Sequence, residues 1–195
     1  MTDRLDQLFA FLNEADRLKS VLRATTLCDG SRRENSAEHS WHLALYALVL
    51  ADQAAPGVDI NRVIKMLLIH DLVEIDVGDV PIHSANGNAH ASTETQVAEA
   101  RAADRIFGIL PNDLRDDLRA LWDEFEAAQT PDAIFAKSLD RVQPVIANLK
   151  SGGGTWITYN VTTDQLETRV GVKVAKGAPR LWDWVREKIK PFFAS

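Results

Sequence analysis

Four groups in this sequence have the chemistry of divalent-metal ligands: His39, the adjacent pair His70-Asp71, and Asp140. Imidazole nitrogen and carboxylate oxygen bind such ions when rigid elements make them converge. Consecutive helical residues point about 100° apart, so His70 and Asp71 reach one ion only if it sits over the wedge between them. Glu74 is four after His70 and three after Asp71, which puts it on the same helical face. There it can accept a hydrogen bond from metal-bound water. Asp79 follows Gly78, where a loop can bring it over the same place. Asp140 lies in the apolar-patterned run Phe135-Ala-Lys-Ser-Leu-Asp-Arg-Val-Gln-Pro144, and a carboxylate near an apolar helical face is costly without a metal or a partner. Taken singly, each of these residues reads more readily as a surface group or a satisfied polar one. Order and spacing carry the case.

The elements that must position them follow helical periods. Leu5, Leu8, Phe9 and Leu12 recur at intervals of three and four, as do Leu43, Ala47 and Leu50. Ser36 is placed to cap a helix running to about Gln53, where Pro56-Gly57 ends it. Asp59 can cap the next, in which Val63, Met66, Leu67 and Leu68 lead into His70-Asp71. Residues 83 to 91 read as a polar loop, and Thr93 to Phe107 as an amphipathic helix. Pro111 and Pro131 suit the first turns of two more helices, the second running through Leu139, Val142 and Ile146. Ser151-Gly-Gly-Gly154 is a flexible break lacking the lysine and flanking strand of a phosphate-binding loop. A short Thr/Val-rich stretch then precedes a last helix from about Pro179 to Phe193. Nothing alternates over enough residues to build a sheet, so the expected class is all-α.

Composition bounds the function. A chain of 195 residues, 46% hydrophobic and 26% charged, can bury a proper core. The formal charge of −6 argues against a surface for nucleic acid polymers, which needs clustered Lys and Arg. Cys28 is the sole cysteine, which excludes an intrachain disulfide and a Cys-rich zinc site; it reads as a small loop residue. The start Met1-Thr-Asp-Arg-Leu5 lacks a secretion signal, and the run Leu43 to Ala51 is far short of a membrane span. The expected location is therefore cytoplasmic, away from the membrane.

The segments Ser36-Ala-Glu-His39, Ile69-His-Asp-Leu-Val-Glu-Ile-Asp-Val-Gly-Asp79 and Leu139-Asp-Arg141 resemble the HD-domain superfamily of metal phosphohydrolases. Within it the resemblance is to the 5′-deoxynucleotidase branch, over roughly residues 15 to 150, and includes Arg17-Leu-Lys-Ser-Val-Leu-Arg23, Arg33-Glu-Asn-Ser-Ala-Glu-His39 and Leu110-Pro-Asn-Asp-Leu-Arg115. It implies a single HD-domain helical bundle over residues 1–195, with 151–195 as a C-terminal extension packed on the core. His39, His70, Asp71 and Asp140 match its four metal ligands, for one divalent ion per chain (Mn, Co, Mg, Fe, Ni or Zn). Glu74 and Asp79 match its catalytic acids, and Arg23 an arginine that holds the substrate phosphate. The implied activity is release of phosphate from (deoxy)nucleoside 5′-monophosphates: metal-bound water oriented by Glu74 attacks, and Asp79 protonates the leaving oxygen or holds the sugar. A homodimer is implied too. The branch carries a tryptophan close after the substrate arginine, whereas this chain reads Arg23-Ala-Thr-Thr26, so another residue packs the base or the substrate differs.

Several residues are set aside. His42 reads as a core group or one supporting His39, and His83 as a solvated loop histidine or one at the pocket mouth. His90 is given no role. Glu38 supports its helix start, and Trp122, Trp182 and Trp184 read as core or interface. Two alternatives compete: hydrolysis of a signalling nucleotide, which Glu74-Ile75 in place of Glu-Asp argues against, and a non-catalytic nucleotide sensor.

Overall fold

Apolar side chains at helical spacing bury one face of each helix, and the computed structural model, describing residues 3–87 and 92–193, shows how those faces meet. Helix α1 (Arg4–Asp16) is followed by a short 3-10 turn and an antiparallel ribbon, β1 (Leu22–Thr26) with β2 (Arg33–Asn35). Then come α2 (Ser36–Val49), α3 (Ile60–Ile69) and, after a 3-10 turn at His70–Val73, the single turn α4 (Glu74–Val77). Helices α5 (Thr93–Phe107), α6 (Asn112–Ala127) and α7 (Pro131–Lys150) complete the core.

The Thr/Val-rich region, to which the sequence assigns no element, forms short helices: α8 (Gly154–Thr158), α9 (Thr163–Leu166), a π-turn at Glu167–Gly171 and α10 (Val172–Gly177), before α11 (Pro179–Phe193). The class is all-α, with the two-stranded ribbon as the one sheet among the described residues.

Side-chain caps set several boundaries. Asp59 accepts from the N–H groups of Asn61 and Arg62, and Pro131 occupies the first turn of α7 behind the Thr130 cap. The cap of α2 is Asn35 rather than Ser36: Asn35 and Glu38 form a reciprocal capping box, which leaves the Ser36 hydroxyl for another task.

Three apolar clusters hold these elements. Leu43, Met66, Leu67, Phe125, Phe135 and Leu139 join α2, α3, α6 and α7. Phe11, Ile106, Phe107 and Trp122 join α1, α5 and α6. Val142, Trp156, Leu166, Val174, Trp182 and Val185 fasten the C-terminal helices to α7. Each fully buried Leu or Phe contributes about 2 kcal/mol relative to exposure, so α7, buried from all sides, is a firm base for a functional residue. Pro144 lies four residues after Asp140 within α7 and has no N–H for the Asp140 carbonyl, so that helical bond is missing beside the candidate ligand.

Candidate active site

Three separate elements deliver the candidate groups to one place. His39 sits in the first turn of α2, His70 and Asp71 in the 3-10 turn after α3, and Asp140 on α7. That turn is pinned from behind, where the Trp122 indole N–H donates to the His70 carbonyl at 3.0 Å. Donor atoms of His39, His70 and Asp71 lie within 4.8 Å of one another. Asp140 Oδ1 is 3.2 Å from His39 Nε2 and 3.7 Å from His70 Nε2, closing the group.

The hydrogen bonds fix which nitrogen of each imidazole faces inward. His70 Nδ1 donates to the Leu67 carbonyl at 2.8 Å, so Nε2 carries the lone pair in the neutral ring. That Nε2 is buried and has no hydrogen-bond partner, though Asp71 Oδ1 is 3.0 Å away. His39 Nδ1 faces Gln143 Oε1 at 3.1 Å, and the Gln143 amide nitrogen donates to Glu34 Oε1 at 2.9 Å. The amide orientation therefore makes His39 Nδ1 the donor and again turns Nε2 inward.

Two imidazole lone pairs aimed at two largely enclosed carboxylates repel unless a cation lies between them. Protons or a metal ion would serve, and the two-nitrogen, two-carboxylate donor set fits a divalent ion. The electrostatics say the same. Burial alone would lower the His70 pKa, but Asp71 and Asp140 outweigh it and push it up to about 10. Burial would raise both carboxylates, but His70 and Arg23 hold Asp71 below its usual range, and Arg141 with the two imidazoles does so for Asp140.

Beside this cluster, β1 presents Arg23, nearly buried, whose Nη1 lies 2.9 Å from Asp71 Oδ2, 3.6 Å from Asp79 Oδ1 and 3.7 Å from Glu74 Oε1. Burial would lower its pKa, but the surrounding carboxylates raise it beyond that of a free guanidinium. Glu74 opens α4, and its Oε2 accepts from the Ser36 hydroxyl at 2.5 Å. Burial and the neighbouring Asp71 and Asp79 push its carboxyl well above the usual carboxylate range, against the pull of Arg23. Gly78, at φ 76°, turns the chain so that Asp79 Oδ2 accepts from the Ala24 N–H at 3.0 Å.

All seven residues singled out in the sequence thus meet. Arg23, His70, Asp71, Glu74, Asp79 and Asp140 line one cavity, and His39 is fully buried behind Asp140. Three supporting groups were not among them: Gln143 and Glu34, which orient His39, and Ser36, which holds Glu74. A usable signal existed for Gln143, a second polar residue one turn after Asp140 on the same face. His42 stands one hydrogen bond further out, 3.3 Å from the Gln143 amide. His83 lines the cavity at 7% exposure, not a solvated histidine, with Arg169 Nη1 3.5 Å from its Nδ1. His90 lies outside the described residues.

A buried point that demands a cation, within reach of a guanidinium and two further acids, is equipped to attack phosphate esters. On an all-α scaffold the class so defined is the helical metal-dependent phosphohydrolases. The chain belongs to the HD-domain family, whose model matches residues 15–182. A chain from Magnetospirillum magnetotacticum MS-1, whose crystal structure is described as that of a predicted metal-dependent phosphohydrolase, is 43% identical with a TM-score of 0.89, covering 97% of this chain and 95% of that one. Human 5′-deoxynucleotidase HDDC2 is 30% identical over 140 residues, which are 71% of this chain and 65% of the human protein. The match thus spans slightly under two thirds of that relative. The 5′-deoxynucleotidase of Erwinia tasmaniensis is 27% identical over 190 residues, 94% of this chain and 92% of its own length.

Proposed function

We propose that this protein is a metal-dependent phosphomonoesterase releasing phosphate from nucleoside or deoxynucleoside 5′-monophosphates. The observation that carries the reading is the pair of inward Nε2 atoms of His39 and His70 facing Asp71 and Asp140 beside Arg23. Those four residues would hold one divalent ion, which when bound supplies Lewis-acid polarisation of a phosphoryl oxygen and acidification of water. The kinship with two proteins named 5′-deoxynucleotidases supports the choice of substrate.

The other residues divide the remaining work. Arg23 offers its guanidinium to the phosphate and offsets charge developing on the phosphoryl oxygens. Ser36 occupies Glu74 Oε2, so Oε1, which faces Arg23, is the oxygen left to take a proton from the attacking water. Asp79, steadied by the Ala24 N–H, protonates the leaving 5′ oxygen or holds the sugar. Two copies pair through the outer face of α2, where Trp41, Leu48 and Val49 are 64%, 60% and 70% exposed; sedimentation as a monomer at micromolar concentration would refute the pairing.

The test is phosphate release from a panel of ribo- and deoxyribonucleoside 5′-monophosphates, using EDTA-stripped protein with and without added Mn or Co. Metal-restored hydrolysis is the expected result. Silence on every monophosphate with metal bound would overturn it.

A further inference from the structure

The cavity has two chemically different ends. One is the charged cluster already described. The other is where the cavity meets the C-terminal apolar cluster, through Ile82, Val145, Trp156, Tyr159 and Val170, with the mutually bonded Asn148 and Thr155 beside them. A pocket charged at one end and largely apolar at the other suits a ligand built the same way: a phosphate joined through a sugar to a planar ring.

Resting on the nucleotidase reading above, we infer that the C-terminal segment supplies the base-binding wall, with Tyr159 as the residue that determines preference for substrates carrying a nucleobase. The local structure makes Tyr159 a fixed platform. Helix α8 is tied to α7 by a double hydrogen bond, Asn148 Nδ2 donating to Thr155 Oγ1 at 2.7 Å and Thr155 N–H donating to Asn148 Oδ1 at 3.0 Å. Gly154 permits that approach, since a Cβ there would lie 2.4 Å from Asn148 Oδ1. Trp156, 2% exposed, is wedged against Phe192 and Phe193 with ring centroids 5.2 Å away. Between these anchors α8 cannot turn, and Tyr159, whose N–H donates to the Thr155 carbonyl at 3.0 Å, ends it with its ring half-buried in the cavity wall.

The roles of the two tryptophan-region aromatics differ. Trp156 is consumed by packing, so it shapes the wall without a free face. Tyr159 is only half-buried and lines the cavity, and an aromatic ring can accept any base by stacking. No residue of Arg23-Ala24-Thr25 offers such a face at the charged end. Base recognition therefore falls to a segment some 130 residues later in the chain.

The experiment compares wild type, Tyr159→Ala and Tyr159→Phe on a deoxynucleoside 5′-monophosphate and on 2-deoxyribose 5-phosphate, which lacks the base. For Tyr159→Ala the nucleotide KM is expected to rise about tenfold, the scale of one lost base-stacking contact, with kcat within about twofold. Tyr159→Phe keeps the wild-type KM, and all three proteins hydrolyse the sugar phosphate alike, which shows that the fold is intact. An unchanged nucleotide KM in Tyr159→Ala, or an equal loss on both substrates, overturns the assignment. Hydrolysis of the sugar phosphate as efficiently as the nucleotide by wild type overturns it too, while leaving the phosphomonoesterase reading standing. Wild type inactive on both overturns both.

Discussion

The guanidinium of Arg23 donates to Asp71 Oδ2 at 2.9 Å, so a candidate phosphate-binding group and a candidate metal ligand share one part-buried ion pair. Asp79 and Glu74 stand within 4 Å of the same nitrogen. Arg23 thereby serves two ends: it compensates three acids taken out of water, and it keeps a positive charge beside the place where phosphate would arrive. Arg23→Ala is expected to lower kcat/KM by about a hundredfold or more, as loss of one preorganised charge-stabilising group does. It should also cost roughly 3 kcal/mol of stability, because buried acids lose their partner. Arg23→Lys restores the charge but not the planar fork, so it should recover stability more fully than activity. Steady-state kinetics and urea unfolding on the same samples check both halves.

Glu74 is held at Oε2 by the Ser36 hydroxyl, while Oε1 faces Arg23 Nη1 at 3.7 Å. Glu74→Gln preserves the shape and that hydrogen bond but removes the proton acceptor. A fall in kcat of about 10²- to 10⁴-fold is expected, with metal content by atomic emission unchanged. Full activity in this variant would exclude Glu74 from proton transfer.

The site was more legible in the sequence than the wall opposite it, for physical reasons. His70-Asp71-x-x-Glu74 lies within about one helical turn, so its geometry follows from local spacing, and helix Thr93–Phe107 announces itself by its amphipathic period. Part of the His39 support is non-local: the position of Gln143 one turn after Asp140 marks it as a polar residue on that face, but its meeting with His39, 104 residues earlier, is made by the packing of α7 against α2. The ribbon of β1 and β2 is too short to alternate visibly, and its strands are set by pairing with each other. Residues 154–177 are rich in β-branched types, and their helices run only four to six residues. Helices so short do not persist alone; Trp156 and Trp182 hold them in place by packing. That tertiary dependence hid them, and with them Tyr159.

His83 gives a pH signature. Burial, then Arg169 and Arg141, pull its pKa down to about 4, below the ordinary value of 6.5. Between those values the unfolded chain binds the proton more tightly than the folded one, so the stability His83 contributes is complete above about pH 6.5 and is lost as pH falls toward 4. Its imidazole resonances should titrate with a midpoint near 4. The stability difference between wild type and His83→Gln, from urea unfolding, should shrink over the same interval. A midpoint near 6.5 would mean that His83 is not buried beside Arg169 and Arg141.

The docking of the C-terminal helices can be tested at Gly177, where α10 meets α7. A Cβ at this position would fall 2.3 Å from Ser138 Oγ and 2.7 Å from the Ile134 carbonyl. Ser138 has little room to yield, since its hydroxyl already donates to the Ile134 carbonyl at 2.8 Å and approaches that of Lys173 at 3.2 Å. Two effects of Gly177→Ala then oppose each other. Alanine should stabilise by about 0.5–1 kcal/mol through reduced freedom of the unfolded chain. Overpacking against a helix backbone costs about 1–3 kcal/mol, and here the obstruction includes main chain, so the clash wins and net destabilisation of about 1–2 kcal/mol is expected in urea unfolding. Because α10 is continuous through α9 and the π-turn with the wall that carries Val170 and Tyr159, the same substitution should raise the nucleotide KM more than that of the base-free sugar phosphate. A Gly177→Ala protein as stable as wild type would show that α10 does not sit this close to α7.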